Sequence, residues 1–420
     1  MAAAGHTDLL ITGVLFLAFA VALLAPTSVG GERLGSSFTA AKLLAIYLLV
    51  LVAHLWSGTS RRGFFFSIAS VAYLSMATYV TAFVEPNMQL NWVRMLVSVC
   101  AASTLALAPV RGVSAISVRR MLDFVVPLIG VVGLATLLKF PPVLSILNSY
   151  YTQLDTYTAT YYSTLIGKPV FTFGASNIAA SFYLGIFLVA GWTYNRVPAK
   201  RLRAYQVVLL GLTVLCFSNA ALLVAALMVA LLAYDLNRHS ARGRKLAQNA
   251  AIGGIITVGA YLLAERSDFL SRYTSVLSSS ANGWVARYSS ESDLFAGNFR
   301  FVEGHGWGLG WCTPTVRQDL YFSDSGYLIN YLMGGASYVA LFYAVVLVFV
   351  FQGGNRRESV QFLLAILVSE LSIVTFHYEK TILLILILHI ARSARAPSMD
   401  PRDGLPGLQS PARGVPAPLR

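Results

Sequence analysis

The sequence predicts an all-α polytopic membrane protein, with about 12 transmembrane helices and a large outer loop carrying short helices. Three observations lead there. Hydrophobic residues make up 56% of the 420 positions and charged residues only 12%, against roughly a quarter charged in ordinary globular chains. Mean hydropathy is +0.66, and a chain with so few charges cannot cover a water-facing surface. The apolar residues are also gathered into runs of membrane-spanning length, separated by short polar breaks. Three cysteines, two of them inside apolar runs, exclude a disulfide scaffold and a cysteine-based metal site.

Taken in order, the predicted spans are Asp8–Ala25, Ala40–Trp56, Phe64–Val84, Trp92–Val110, Leu122–Lys139 and Ser176–Thr193. The long run Ala204–Tyr234 follows, then Ala247–Ala264, Gly326–Phe351, Val360–Thr375 and the short Thr381–Ala391. Asp8–Ala25 reads as a span and not as a cleaved signal, because Met1–Thr7 lacks Lys and Arg and no small-residue cleavage site precedes Pro26.

Basic residues set the orientation. Arg61-Arg62, Arg111 with Arg119-Arg120, the Arg196–Arg203 cluster, the Arg238–Lys245 cluster, Arg356-Arg357 and the tail all belong on the cytoplasmic side. The spans alternate correctly if the N-terminus is cytoplasmic too. Ala204–Tyr234 is flanked by basic clusters on both sides, so it must cross twice or not at all, and it is read as crossing twice. Its only polar pair, Ser218-Asn219, marks an outer turn between two short helices. On this scheme the net charge of +13 is topological, with 20 of 31 Lys and Arg inside, and nucleic acid is an unnecessary partner. Residues 1–392 form one transmembrane domain. Residues 393–420, rich in proline, read as a disordered cytoplasmic tail.

Two outer loops are long, 140–175 and 265–325. The first carries Tyr150, Tyr151, Tyr157, Tyr161, Tyr162, Phe171 and Phe173, which suit an interfacial aromatic belt or stacking against sugars. The second holds many charges together with Trp284, Trp307 and Trp311, so it is expected to fold as short helices over a cavity between the spans. Its most informative stretch begins at Arg287 and continues through Arg300, Glu303 and His305 to the alternating glycines Gly304, Gly306, Gly308 and Gly310. Alternating glycines expose backbone amides to a phosphate or sugar. Asp324-Ser325-Gly326-Tyr327-Leu328 then leads into a span containing Gly334-Gly335.

That order of features resembles the O-antigen polymerase and ligase superfamily of bacterial membrane glycosyltransferases. The resemblance runs from about Phe173 to Ala391, the earlier spans agreeing in number only. Arg287 matches the family's loop arginine, Gly306, Gly308 and Gly310 its glycine stretch, and Asp324–Leu328 the motif that closes its large periplasmic loop. Ser218-Asn219-Ala220 stands where the family has a Ser-Arg pair, which puts a phosphate contact at Asn219 in doubt. Glu303 replaces a proline. Ligases use a loop histidine where this chain has Asp324, so the match favours a polymerase.

The resemblance implies a bacterial inner-membrane polymerase that joins lipid-diphosphate-linked oligosaccharide repeat units into exopolysaccharide or O-antigen on the periplasmic face. Its substrate would be a polyprenyl-diphosphate-linked oligosaccharide, and its protein partners a chain-length regulator and a flippase. No cofactor or metal is expected. The alternatives are a ligase, which transfers finished chains to lipid A core, and a transporter or flippase of the precursors.

The chemistry can be argued from the residues. Departure of a lipid diphosphate builds negative charge, which a guanidinium fork stabilises bidentately without a metal. Arg287 and Arg300 are candidates for that task, the bland alternative being surface ion pairs with Glu291, Asp293 or Glu303. Asp324 or His305 would take the acceptor proton. Asp324 could instead cap the next span, and His305 could be an exposed loop imidazole. Tyr327 would contact sugar or sit at the interface. Glu370 and His377 are candidate substrate contacts because ionisable groups inside or at the end of a span are functional by default. The alternatives there are a Glu379–Lys380 ion pair and a hydrogen bond from Glu370 to a neighbouring helix.

Overall fold

The computed structural model describes residues 2–26, 28–30, 32–33, 113–151, 167–173, 176–216, 219–239 and 355–371. It adds single positions between 38 and 52, 340 and 351, and 384 and 394. Helix makes up 86% of the described part. The helices are α1 (Ala2–Leu24), α2 (Ala115–Leu137), α3 (Pro141–Tyr150), α4 (Ser176–Arg196), α5 (Lys200–Leu215), α6 (Asn219–His239) and α7 (Arg356–Glu370). A 3-10 turn, Phe171–Phe173, precedes α4. Among the described residues the one sheet is a small antiparallel hairpin of β1 (Ser28–Val29) and β2 (Glu32–Arg33), turned at Gly30 with φ +62°.

Among the described residues two helices, Ala115–Leu137 and Ser176–Arg196, are long and apolar enough to cross a membrane. The predicted spans Phe64–Val84, Trp92–Val110 and Ala247–Ala264, the loop 265–325 and the tail beyond residue 394 lie outside the described residues. Ala40–Trp56, Gly326–Phe351 and Thr381–Ala391 are described at scattered helical positions only. Helix bounds exceed the apolar runs at α1 and α2, because hydropathy marks only the apolar part of a helix. Helix α2 starts at Ala115, where the Ser114 side chain accepts from Ser117 N–H at 3.0 Å and satisfies one orphan donor. It ends at Leu137, two residues before the predicted span does. Lys139, at φ 54°, closes a Schellman cap through Lys139 N–H to Thr136 O and Phe140 N–H to Ala135 O, at 3.0 and 2.9 Å. Pro141-Pro142 then open α3.

Ala204–Tyr234 is two helices. Helix α5 stops at Leu215 and α6 starts at Asn219, the second residue of the polar pair. Helix α4 is the central element, buried at every position from Ile178 to Thr193 and packed by α2, α5, α6 and α7. Glycines permit the close approach. A Cβ at Gly191 would sit 2.9 Å from Gln206 Nε2, and one at Gly185 would collide with the Leu384 side chain. Helix α2 buries Val118, Leu122, Val125, Ile129, Gly133 and Thr136 at helical spacing, yet its outward residues Phe124, Val131, Leu134 and Leu138 are large, apolar and 56–72% exposed. A water-facing helix carries polar residues there.

Side-chain contacts fix the register of the bundle. Asp123, about two turns into α2, pairs with Arg201 near the start of α5 at 2.8 Å, and its carboxylate accepts from the Tyr205 hydroxyl at 3.0 Å. Arg196 at the end of α4 pairs with Glu358 at the start of α7 at 2.7 Å, and Arg357 pairs with Asp235 near the end of α6. One end of the bundle is therefore basic, and of the clusters that sequence assigned to one side it holds Arg196, Arg201 and Arg357. At the opposite end, carbonyls at the close of α1 accept from distant side chains. Thr172 Oγ1 donates to Leu23 O at 2.9 Å, Tyr151 Oη to Leu24 O at 2.7 Å and Lys42 Nζ to Ala25 O at 3.1 Å. These are the orphan acceptors every helix C-terminus leaves.

Candidate functional site

Six of the eight expected site residues, Arg287, Arg300, His305, Asp324, Tyr327 and His377, lie outside the described residues. The other two are placed at the same end of the bundle, opposite the arginines. Asn219 is the first residue of α6. Glu370 is the last residue of α7, whose twelve residues from Glu358 rise about 18 Å. The Glu370 carboxylate is fully buried and accepts from the Tyr343 hydroxyl at 3.1 Å. The neighbouring-helix hydrogen bond offered as its structural alternative is therefore present.

The segment 167–173 is inserted into that end. Gly167, at φ +23°, lies against the Thr136 carbonyl so closely that no Cβ fits. Lys168, Val170, Phe171, Thr172 and Phe173 are all buried. The Tyr183 hydroxyl of α4 donates to the Pro169 carbonyl, and Cys216 Sγ lies 3.9 Å from the same oxygen. Phe173 packs on Phe182 with ring centres 4.2 Å apart. Phe171 and Phe173 were expected in an interfacial belt or against sugar, and the structure instead buries both in the core. A 3-10 turn directs them inward between α2 and α4. Tyr150 is exposed, Tyr151 caps α1, and Tyr157, Tyr161 and Tyr162 lie outside the described residues.

Lys168 was not singled out by sequence. Burial drives its ammonium down from 10.5 to about 8, with the Cys216 thiol pulling slightly the other way. Its electrostatic neighbour Cys216 caps the end of α5, three residues before Asn219 in sequence. The only sequence signal was a lone Lys between Gly and Pro inside an aromatic loop.

The basic end is a network. The Trp192 indole N–H donates to Gln361 Oε1 at 2.6 Å, Arg203 Nη1 to Gln206 Oε1 at 2.7 Å and Arg392 Nη2 to Ser359 Oγ at 3.0 Å. Guanidinium planes lie over rings, Arg203 over Tyr194 at 4.3 Å and Arg357 over Tyr234 at 5.1 Å. A cavity of about 310 Å³ opens among these groups. Sequence marked the basic residues as orientation signals and missed their convergence, because the acidic partners Asp123, Asp235 and Glu358 come from separate segments.

No family model, curated protein or solved structure matches this chain.

Proposed function

We propose that the chain is an inner-membrane glycosyltransferase that polymerises lipid-diphosphate-linked oligosaccharide repeats on the periplasmic face. The observation that carries this reading is the order of Arg287, the glycine stretch 304–310 and Asp324–Leu328 between two apolar runs. The fold is compatible with it. Outward apolar faces such as Phe124, Val131 and Leu134 suit lipid. The basic helix ends group together, with Asn219, Glu370 and Lys168 at the opposite end; in the proposal both long loops attach on that side. The full set of spans, about 12 by length, is part of the proposal.

In the reaction, the bond between the anomeric carbon of the growing chain and its diphosphate oxygen breaks, and the electron pair leaves on the diphosphate. Arg287, together with Arg300 of the same loop, would neutralise that charge. The non-reducing-end hydroxyl of the incoming repeat forms the new carbon–oxygen bond and gives its proton to Asp324 or His305. Asn219, Tyr327, Glu370 and His377 would orient the sugars and the diphosphate.

The test is a membrane assay with radiolabelled lipid-linked repeat units. A polymerase lengthens chains without lipid A core. Elongation only when core is supplied would identify a ligase, and no transfer with intact, normally expressed protein would remove the glycosyltransferase reading.

A further inference from the structure

Helix α3 turns an uncharged apolar face away from the protein, and its two ends fix how that face lies. Its ten residues, Pro141–Tyr150, make a rod about 15 Å long. It starts just beyond the end of α2, behind the turn at Lys139. It finishes against the close of α1. There the Ser28 hydroxyl of β1 donates to the Ser149 carbonyl at 3.1 Å, and Tyr151 Oη to the Leu24 carbonyl at 2.7 Å. Helices α1 and α2 thus close at the same end of the bundle, and α3 reaches from one to the other. It lies across that end and not along the bundle.

The inward face of α3 carries Leu144 and Leu147, both buried in the core. The opposite face holds Pro142, Ile146 and Tyr150, four residues apart and all exposed, Ile146 at 54%. A helix facing water carries charged or polar side chains there, and α3 has no charged residue. The connection before it has the same character, with Leu138 and Phe140 exposed on either side of an exposed Lys139. Val131 and Leu134, on the outward side of α2, lead into it along the chain. Apolar side chains beside one lysine and a tyrosine hydroxyl, with no carboxylate, match the zone of a bilayer where phosphates meet acyl chains. A second copy of this chain suits the face less well. One side of a rod about 15 Å long and about 10 Å wide falls far short of the roughly 800 Å² each partner gives to a stable interface.

We infer that α3 is an interfacial helix, lying flat in the headgroup region of the outer leaflet with Pro142, Ile146 and Tyr150 against lipid and Lys139 at the phosphates. The inference rests on the membrane part of the proposed function and is independent of glycosyl transfer. Its consequence is that loop 140–175 is held at both ends, by lipid at α3 and by protein at Phe171–Phe173, which packs on α2 and α4.

The test uses the full-length chain in phosphatidylcholine vesicles, with Cys100 and Cys312 replaced by alanine and Cys216 kept because burial shields it from thiol reagents. A fluorophore is attached at Ile146→Cys on α3 or at Val131→Cys on α2, positions exposed enough that neither change disturbs packing. Emission is followed with nitroxide on the lipid headgroup, with nitroxide partway down the acyl chain, and with iodide in the water. The probe at 146 should lose most of its emission to the headgroup label and less to the other two, while the probe at 131 should lose most to the acyl-chain label. Quenching at 146 by iodide alone, with 131 still quenched through lipid, overturns the interfacial helix and leaves the spans standing. Loss of lipid quenching at both positions overturns both. Protection of 146 from lipid and iodide, with energy transfer between labelled copies, gives the face to a second copy and also overturns the inference.

Discussion

Replacing Lys168 with methionine should change how stability depends on pH, and the size of the change follows from burial. The folded ammonium titrates at about 8 against 10.5 when solvated. Folding therefore favours the neutral amine. Above the solvated value the lysine costs nothing, and the penalty grows as pH falls through that window, levelling off below about 8. The full penalty is about 3 kcal/mol at 1.36 kcal/mol per unit. Between pH 7.5 and 9.5 the parent chain should therefore gain roughly 2 kcal/mol that Lys168→Met, of similar shape and without charge, does not gain. For a chain of this size that is a shift of several degrees in the unfolding midpoint. Parent and variant would be melted side by side in detergent at a series of pH values, which cancels all other titrating groups. A difference between them that stays flat over this range would mean that the amine is solvated and that segment 167–173 does not insert into the core.

Three further outcomes follow from packing and topology. Gly185→Ala should destabilise by about 1–3 kcal/mol through overpacking, and Leu384→Ala should relieve it, as read by melting of the single and double variants. Arg196→Ala leaves Glu358 buried without its partner and should cost on the order of 2 kcal/mol, with Glu358→Gln recovering most of the loss. A double variant as unstable as the single one would show that the pair is not coupled. Asn219→Cys should react with an impermeant thiol reagent applied from outside. Labelling only after lysis would place the α5–α6 turn in the cytoplasm.

The two-helix reading of Ala204–Tyr234 was legible because basic clusters at both ends and one polar pair within are local features. So was the end of α2, where Lys139 and Pro141-Pro142 stop a helix by backbone chemistry alone. Burial was not legible. Phe171, Phe173 and Lys168 lie in one polar-aromatic loop, and only the wedging of that loop against Thr136, Tyr183 and Cys216 makes them core residues. The basic end shows the same limit. Arg196 and Arg357 carry an orientation signal in sequence, while their pairing with Glu358 and Asp235 joins positions far apart in the chain. Of the expected site, Glu370 and Asn219 could be placed at one end from helix lengths alone. The hydrogen bond from Tyr343 to Glu370 could not, since it depends on which helices are neighbours.

The central claim is that Arg287 holds a departing diphosphate through its fork. The direct measurement is polymer length on the surface of a strain lacking this chain and complemented with Arg287→Lys, with membrane levels checked by immunoblot. An ammonium keeps the charge and loses the paired planar contact, so activity should fall on the order of 10²–10³-fold, leaving single repeats. A surface ion pair is worth only about 0–1 kcal/mol, so full-length polymer from normally expressed Arg287→Lys would contradict the claim.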